Sequence, residues 1–166
     1  SKLIENEGKN IIKFGFGQSP FPVPGIIVEE LKKNAHKKSY LPIQGLDKLR
    51  NSIAKYESKK KNYDFHSDQI IVGPGTKELM FLMHLSFDGE VLLPIPSWVS
   101  YKPQSIIAKN NYHWIKTSSE NNWFPKADEL ENIVAKNLNK KFIFFINSPN
   151  NPSGQVLKKL KEISEV

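Results

Sequence analysis

The chain has 166 residues, 39% hydrophobic and 25% charged, with no cysteine and a formal charge of +7. That length suits one domain with a real core, and the absent thiols exclude a disulfide framework, a thiolate metal site and a cysteine nucleophile. No apolar run is long enough to cross a bilayer and Ser1-Lys2-Leu3 is unlike a signal peptide, so the expectation is a soluble cytoplasmic protein with no membrane partner.

Residues 11 to 24 are rich in glycine and proline and read as an irregular loop feeding a helix. Pro24 suits the start of that helix, with Ile27, Leu31 and Ala35 at helical spacing. A turn from Leu41-Pro42 to Gly45 precedes a second helix, striped by Leu46, Leu49, Ile53 and Tyr56 and ending in lysines. Ile70-Ile71-Val72 reads as a strand that stops at Gly73-Pro74-Gly75. A helix from Thr76 to about Phe87 follows, apolar on most sides and therefore expected to be buried. Then come a strand at Val91 to Leu93, a helix after Pro96 and a strand at Tyr112 to Ile115. An amphipathic helix, Asp128 to Leu138, turns Leu130, Ile133, Val134 and Leu138 inward. The last strand, Phe142 to Ile146, runs straight into Asn147-Ser148-Pro149-Asn150-Asn151-Pro152-Ser153-Gly154.

Strands alternating with helices predict an α/β architecture around a largely parallel sheet. Ligands of such sheets bind beyond the carboxyl ends of the strands, which directs attention to the loops after Val72, Leu93 and Ile146.

Several tempting signals fail. Of the 24 Lys and Arg residues only Arg50 is an arginine, and clusters such as Lys37-Lys38, Lys59-Lys60-Lys61 and Lys158-Lys159-Lys161 carry no interleaved aromatics. They read as solvated helix faces, and no nucleic-acid partner is expected. Gly15-Phe16-Gly17 lacks the third glycine of a dinucleotide fingerprint, and Gly73 to Lys77 lacks the spacing of a Walker loop. His36, His66, His84 and His113 have no ligand-type spacing, so no metal site is expected.

Three loops carry more. In Val72-Gly73-Pro74-Gly75-Thr76-Lys77 a strand end meets a helix start, where backbone amides, the helix dipole and the Thr76 hydroxyl make an anion site. The plainer reading is a threonine N-cap. In Pro94-Ile95-Pro96-Ser97-Trp98-Val99-Ser100-Tyr101 an indole just past a strand end can stack on a planar heteroaromatic ring, or simply fill the core. In the Asn147–Gly154 turn a rigid amide can donate to a ring oxygen or a carboxylate, or the asparagines serve only the turn. A phosphate cradle, a stacking surface and a polar amide at adjacent strand ends suit a phosphorylated aromatic cofactor.

From Phe14 to about Val156 the chain resembles the fold-type-I pyridoxal-phosphate enzymes, closest to the aspartate aminotransferase superfamily of classes I and II. The most specific matches are Tyr40-Leu41-Pro42-Ile43-Gln44-Gly45-Leu46 with Leu49-Arg50, then Trp98-Val99-Ser100-Tyr101, then the Asn147–Gly154 turn. The resemblance implies a three-layer sandwich, with residues 1–39 leading into the large domain and 40–166 forming its front part. It implies pyridoxal 5'-phosphate as cofactor, with Gly75 and Thr76 on its phosphate, Trp98 on its ring and Asn151 on the ring hydroxyl oxygen and the substrate carboxylate. Gly17, in Phe14-Gly15-Phe16-Gly17-Gln18, matches a backbone position that touches the substrate carboxylate. Tyr40 matches a tyrosine that reaches the phosphate of a neighbouring subunit, which implies a homodimer with shared active sites. Lys77 takes no role from the resemblance.

The implied activity is transamination between an α-amino acid and a 2-oxo acid in a full-length parent. Alternatives on the same scaffold are a pyridoxal-phosphate lyase or synthase and a non-catalytic regulatory domain. The lysine that forms the Schiff base lies beyond the asparagine turn in the family. No lysine here stands in a matching motif, so the chain is expected to contain no catalytic residue and to be inactive alone.

Overall fold

The computed structural model describes residues 8, 10–12, 17–158 and 160–166. They belong to two compact units, one ending at Leu41 and the other running from Pro42 to Val166.

The first unit carries helix α1, Gly25–Asn34, which starts directly after Pro24 as expected. Lys32 and Lys33 pair with Glu29 and Glu30 at 2.8 Å, surface pairs of small energetic weight. No residue of α1 is buried, and the stripe of Ile27 and Leu31 is exposed.

The second unit opens with the expected turn. Gly45 has φ +102°, and a Cβ on it would fall 2.6 Å from the Val72 Cβ, so glycine alone fits. Helix α2 spans Asp47–Lys61. Its Arg50 donates to the carbonyls of Ile70 at 2.9 Å and Ser67 at 2.6 Å, a structural use of the chain's single arginine. After a 3-10 turn at Ser67–Gln69 come α3 (Thr76–Ser86), β1 (Glu90–Ile95), α4 (Tyr101–Ile107) and β2 (Tyr112–Lys116). A second 3-10 turn at Ser119–Asn121 precedes α5 (Ala127–Ala135), β3 (Phe142–Phe144) and α6 (Leu160–Ser164).

The sheet is parallel with strand order β2-β1-β3, pairing Val91 with Tyr112 and with Ile143. Side chains alternate across β1, so each face builds its own core. Val91 and Leu93 pack with Tyr101, Phe145 and Met80 beneath α3 and α4. Leu92 packs with Ile115, Leu130 and Ile163 beneath α5 and α6. A sheet between two helix layers is the expected three-layer α/β architecture.

Four expectations need correction. Ile70-Ile71-Val72 forms no strand: its backbone is taken up by Gln44, through Val72 N–H at 2.9 Å, and by Arg50, and it has no ladder partner among the described residues. Strand β3 stops at Phe144 instead of Ile146. Phe145 N–H still donates to Leu92, but the next donor due from β1 is Pro94, which has no N–H. Helix α5 ends at Ala135, where the Asn137 side chain takes the Ile133 carbonyl at 2.8 Å, and Leu138 is 81% exposed, not inward. Helix α3 is buried on one side only, since Leu82, Met83 and Leu85 are exposed and His84 is its one buried residue.

Candidate functional site

Three loops leave the carboxyl end of the second unit's core, and each is fixed from within. The first is the start of α3. Gly75 is the N-cap, extended at φ 162°, and the helix carries no side-chain cap. Its carbonyl receives the amides of Glu78 and Leu79, both at 3.2 Å, which closes the first turn. Thr76 is therefore the first helical residue and not the cap, so the plainer reading of the threonine is excluded. Its hydroxyl is exposed and no hydrogen bond holds it among the described residues. The first-turn amides and the positive end of the dipole face out of an 11-residue helix. Gly73 packs this turn tightly, because a Cβ there would meet Leu79 Cδ2 at 2.7 Å.

The second loop holds Trp98, half-buried against the core of Val91, Leu93, Tyr101 and Phe145. Tyr101 N–H donates to the Trp98 carbonyl at 3.2 Å, and the two rings meet edge to face at 5.6 Å between centroids. Tyr101 in turn stacks on Phe145 at 5.0 Å, and Phe145 on His84 at 4.8 Å. Trp98 thus ends a run of packed rings and keeps part of its surface open. Burial pushes the Tyr101 hydroxyl above its ordinary pKa. Burial likewise holds His84 below its ordinary value, partly offset by the nearby Asn110 side chain, although neither ring nitrogen makes a hydrogen bond of ordinary geometry.

The third loop sorts its asparagines. Asn150 is buried: its amide donates to Ser153 Oγ at 2.8 Å, its N–H to Gln155 and its carbonyl accepts from Gly154. Asn151 is exposed, and no hydrogen bond engages its side chain among the described residues. Asn150 builds the turn and Asn151 is displayed by it. The peptide bonds Ile95–Pro96, Ser148–Pro149 and Asn151–Pro152 are cis.

The first two loops come together. The Lys77 ammonium lies 5.1 Å from the Trp98 ring centroid, a cation–π contact, and the Lys77 carbonyl accepts from Gln104 Nε2 at 2.8 Å. A cavity of about 520 Å3 beside them is bounded by Gly75, Lys77, Phe81 and Gln104. Asn151 follows β3, the parallel neighbour of β1, and so leaves the same end of the sheet. Lys77 and Gln104 were not legible as site neighbours. The one available signal was a Gln-Ser pair set before Ile106-Ile107 in α4, a polar pair that is buried in the fold.

Gly17 and Tyr40 belong to the first unit, both exposed. Phe14, Gly15 and Phe16, which accompany Gly17 in its motif, lie outside the described residues, as does Lys159 of the last lysine cluster. Among the described residues no three His, Asp or Glu side chains are grouped to hold a metal, and no helix is long and apolar enough to cross a membrane.

The donor set fits a phosphorylated, planar, hydroxyl-bearing ring. It offers an uncapped helix start with a free hydroxyl and an adjacent ammonium, an indole beside it, and a displayed amide.

Comparison with known proteins places the chain among its relatives. Residues 9–166 match the family model for aminotransferase class I and II. An aspartate aminotransferase of Thermotoga maritima is 33% identical over 164 residues, covering 96% of this chain and 43% of its own length. An asparagine–oxo-acid transaminase of Streptococcus mutans is 30% identical over 172 residues, covering all of this chain and 43% of its own. The crystal structure of the Thermotoga maritima aspartate aminotransferase superposes with a TM-score of 0.81 at 31% identity, over 91% of this chain and 41% of that one. The crystal structure of a Pyrococcus protein gives 0.82 at 35% identity, over 99% and 44%. The chain therefore spans less than half the length of the relatives it matches.

Proposed function

This chain belongs to the aminotransferase class I and II family, and on that premise we propose that it forms the cofactor-holding part of a pyridoxal-phosphate-dependent transaminase acting on an α-amino acid and a 2-oxo acid. The observation that carries the reading is the start of α3, an uncapped anion turn whose lysine sits over the Trp98 ring.

Gly75 and Thr76 would hold the phosphate through first-turn amides and the Thr76 hydroxyl, with Lys77 adding positive charge. Trp98 would cover one face of the ring and exclude water from it. Asn151 would donate its amide to the ring hydroxyl oxygen and orient the substrate carboxylate. Gly17 would meet that carboxylate through its backbone, and Tyr40 would reach the phosphate bound by a second copy, which makes the working unit a homodimer. When bound, pyridoxal phosphate supplies an electron-withdrawing ring that acidifies the substrate α-carbon. The names of the relatives make aspartate and asparagine the first donors to assay. None of the chain's lysines stands in a motif for the covalent bond to the cofactor, so the 166 residues alone are expected to bind without turning over.

Calorimetric titration with pyridoxine 5'-phosphate, which has no aldehyde to react with surface lysines, tests the reading against unphosphorylated pyridoxine. Tighter binding of the phosphorylated ligand, weakened by Trp98→Ala, is the expected result. Equal binding of the two ligands would remove the proposal.

A further inference from the structure

We propose that Gln104 is a positioning residue that ties the anion turn of α3 to the loop carrying Trp98; this rests on the cofactor reading and names what holds that site in shape. The tie is a single hydrogen bond, Gln104 Nε2 to the Lys77 carbonyl at 2.8 Å, spanning 27 residues of chain. Its orientation is fixed by chemistry, since a carbonyl only accepts and the amide nitrogen must face it.

Helix α4 is the lever. It begins on the Trp98 loop itself, with Tyr101 N–H on the Trp98 carbonyl and Gln104 N–H on the Ser100 carbonyl, both at 3.2 Å. One short helix is therefore bonded to the ring-covering loop at its start and to the phosphate turn through Gln104. A shift of either loop is passed to the other.

A residue that merely filled space here would be apolar. Gln104 is 8% exposed, and its Oε1 is buried without a hydrogen-bond partner among the described residues. An orphaned acceptor opposes folding, so a glutamine at this place is kept for its donor. Ser105 beside it shows the contrast: its hydroxyl bonds back to the Tyr101 carbonyl within the same helix and has no other partner among the described residues.

Hydrogen exchange on the 166-residue chain tests the tie, with Gln104→Met to keep length without polarity and Gln104→Glu to keep shape without the donor at neutral pH. In both, the amides of Glu78 and Leu79 should exchange about tenfold faster while those of β1 and β2 hold, the loss of one hydrogen bond. Gln104→Met should melt no lower than the unsubstituted chain, because it also removes the orphaned acceptor. Affinity for pyridoxine 5'-phosphate should fall about tenfold and affinity for pyridoxine should not change. A lower melting temperature with unchanged exchange at Glu78 and Leu79 would overturn the proposal and leave a space-filling side chain. If the unsubstituted chain fails to prefer the phosphorylated ligand, the cofactor reading falls, and exchange still decides whether Gln104 ties the loops.

Discussion

The two ends of the parallel sheet are built on opposite plans. At the amino-terminal end, Glu90 opens β1 and is almost fully buried, yet both of its carboxylate oxygens have partners. His113 of β2 meets one oxygen, and Lys140, just before β3, meets the other at 2.6 Å with Asn111 at 3.4 Å. One charge therefore fastens all three strands together. At the carboxyl end some polar groups are left displayed beside the engaged Asn150 and Gln104: α3 is uncapped, and the Thr76 hydroxyl and the Asn151 amide are exposed. Engaged polar groups hold the fold, and the displayed ones are the groups proposed to meet a ligand. Cavity size does not separate them, since a cavity of about 650 Å3, larger than the one beside Gly75, lies at the amino-terminal end. Among its lining cations, Lys140 is already committed to Glu90.

The sharpest way to break this contrast is at Glu90. Glu90→Gln removes charge-assisted bonds from a buried site and should lower stability by about 2–3 kcal/mol at neutral pH, read by denaturant unfolding, with affinity for pyridoxine 5'-phosphate unchanged. The pH dependence carries the same signature. Hydrogen bonds from His113 and then Lys140 hold the Glu90 carboxyl down to about 2 from an ordinary 4.5. A carboxyl depressed in the folded state stabilises above its unfolded value and loses that contribution as pH falls toward the folded one. Melting temperature should therefore drop between about pH 4.5 and 2, and Glu90→Gln should flatten that part of the profile. An unaltered profile would detach Glu90 from the stability of the sheet.

The paired asparagines give the next largest effect. Asn150→Ala should cost about 1–2 kcal/mol of stability, because it leaves a buried turn without its side-chain bond. Asn151→Ala should stay within about 0.5 kcal/mol and weaken ligand binding only. If both substitutions destabilise alike, the division within that turn is wrong.

Smaller effects belong to the other two loops of the carboxyl end. Trp98→Ala should weaken pyridoxine 5'-phosphate by about 1 kcal/mol of stacking, as seen in the binding isotherm. Thr76→Val should cost about 1 kcal/mol of affinity for the phosphorylated ligand and none for pyridoxine.

The layers were legible because strands β1 and β2 and helices α2 and α3 announce themselves by periodicity and by Gly-Pro punctuation. Pairing was less so. Nothing in Ile70-Ile71-Val72 says that Gln44 and Arg50 will take its backbone groups, and the early end of β3 depends on Pro94 in another strand. Two of the site loops were legible as strand ends in unusual sequence, and the third, before α3, was located by its Gly-Pro-Gly turn although the strand expected ahead of it does not form. Their internal order was not legible in the residues themselves: only the resemblance singled out Asn151, and the burial of Asn150 in the turn is visible only in the fold. Nothing in the sequence marks Glu90, on which His113 and Lys140 converge from 23 and 50 residues away.

The most direct test of the account maps ligand onto the sheet. Backbone and indole N–H resonances of the chain, followed through a titration with pyridoxine 5'-phosphate, should shift at Gly75, Thr76, Lys77 and the Trp98 indole and stay still at Glu90 and His113. Shifts centred on Lys109, Lys140 and Lys141, or none at all, would contradict the claim that the carboxyl end of the sheet is the binding end.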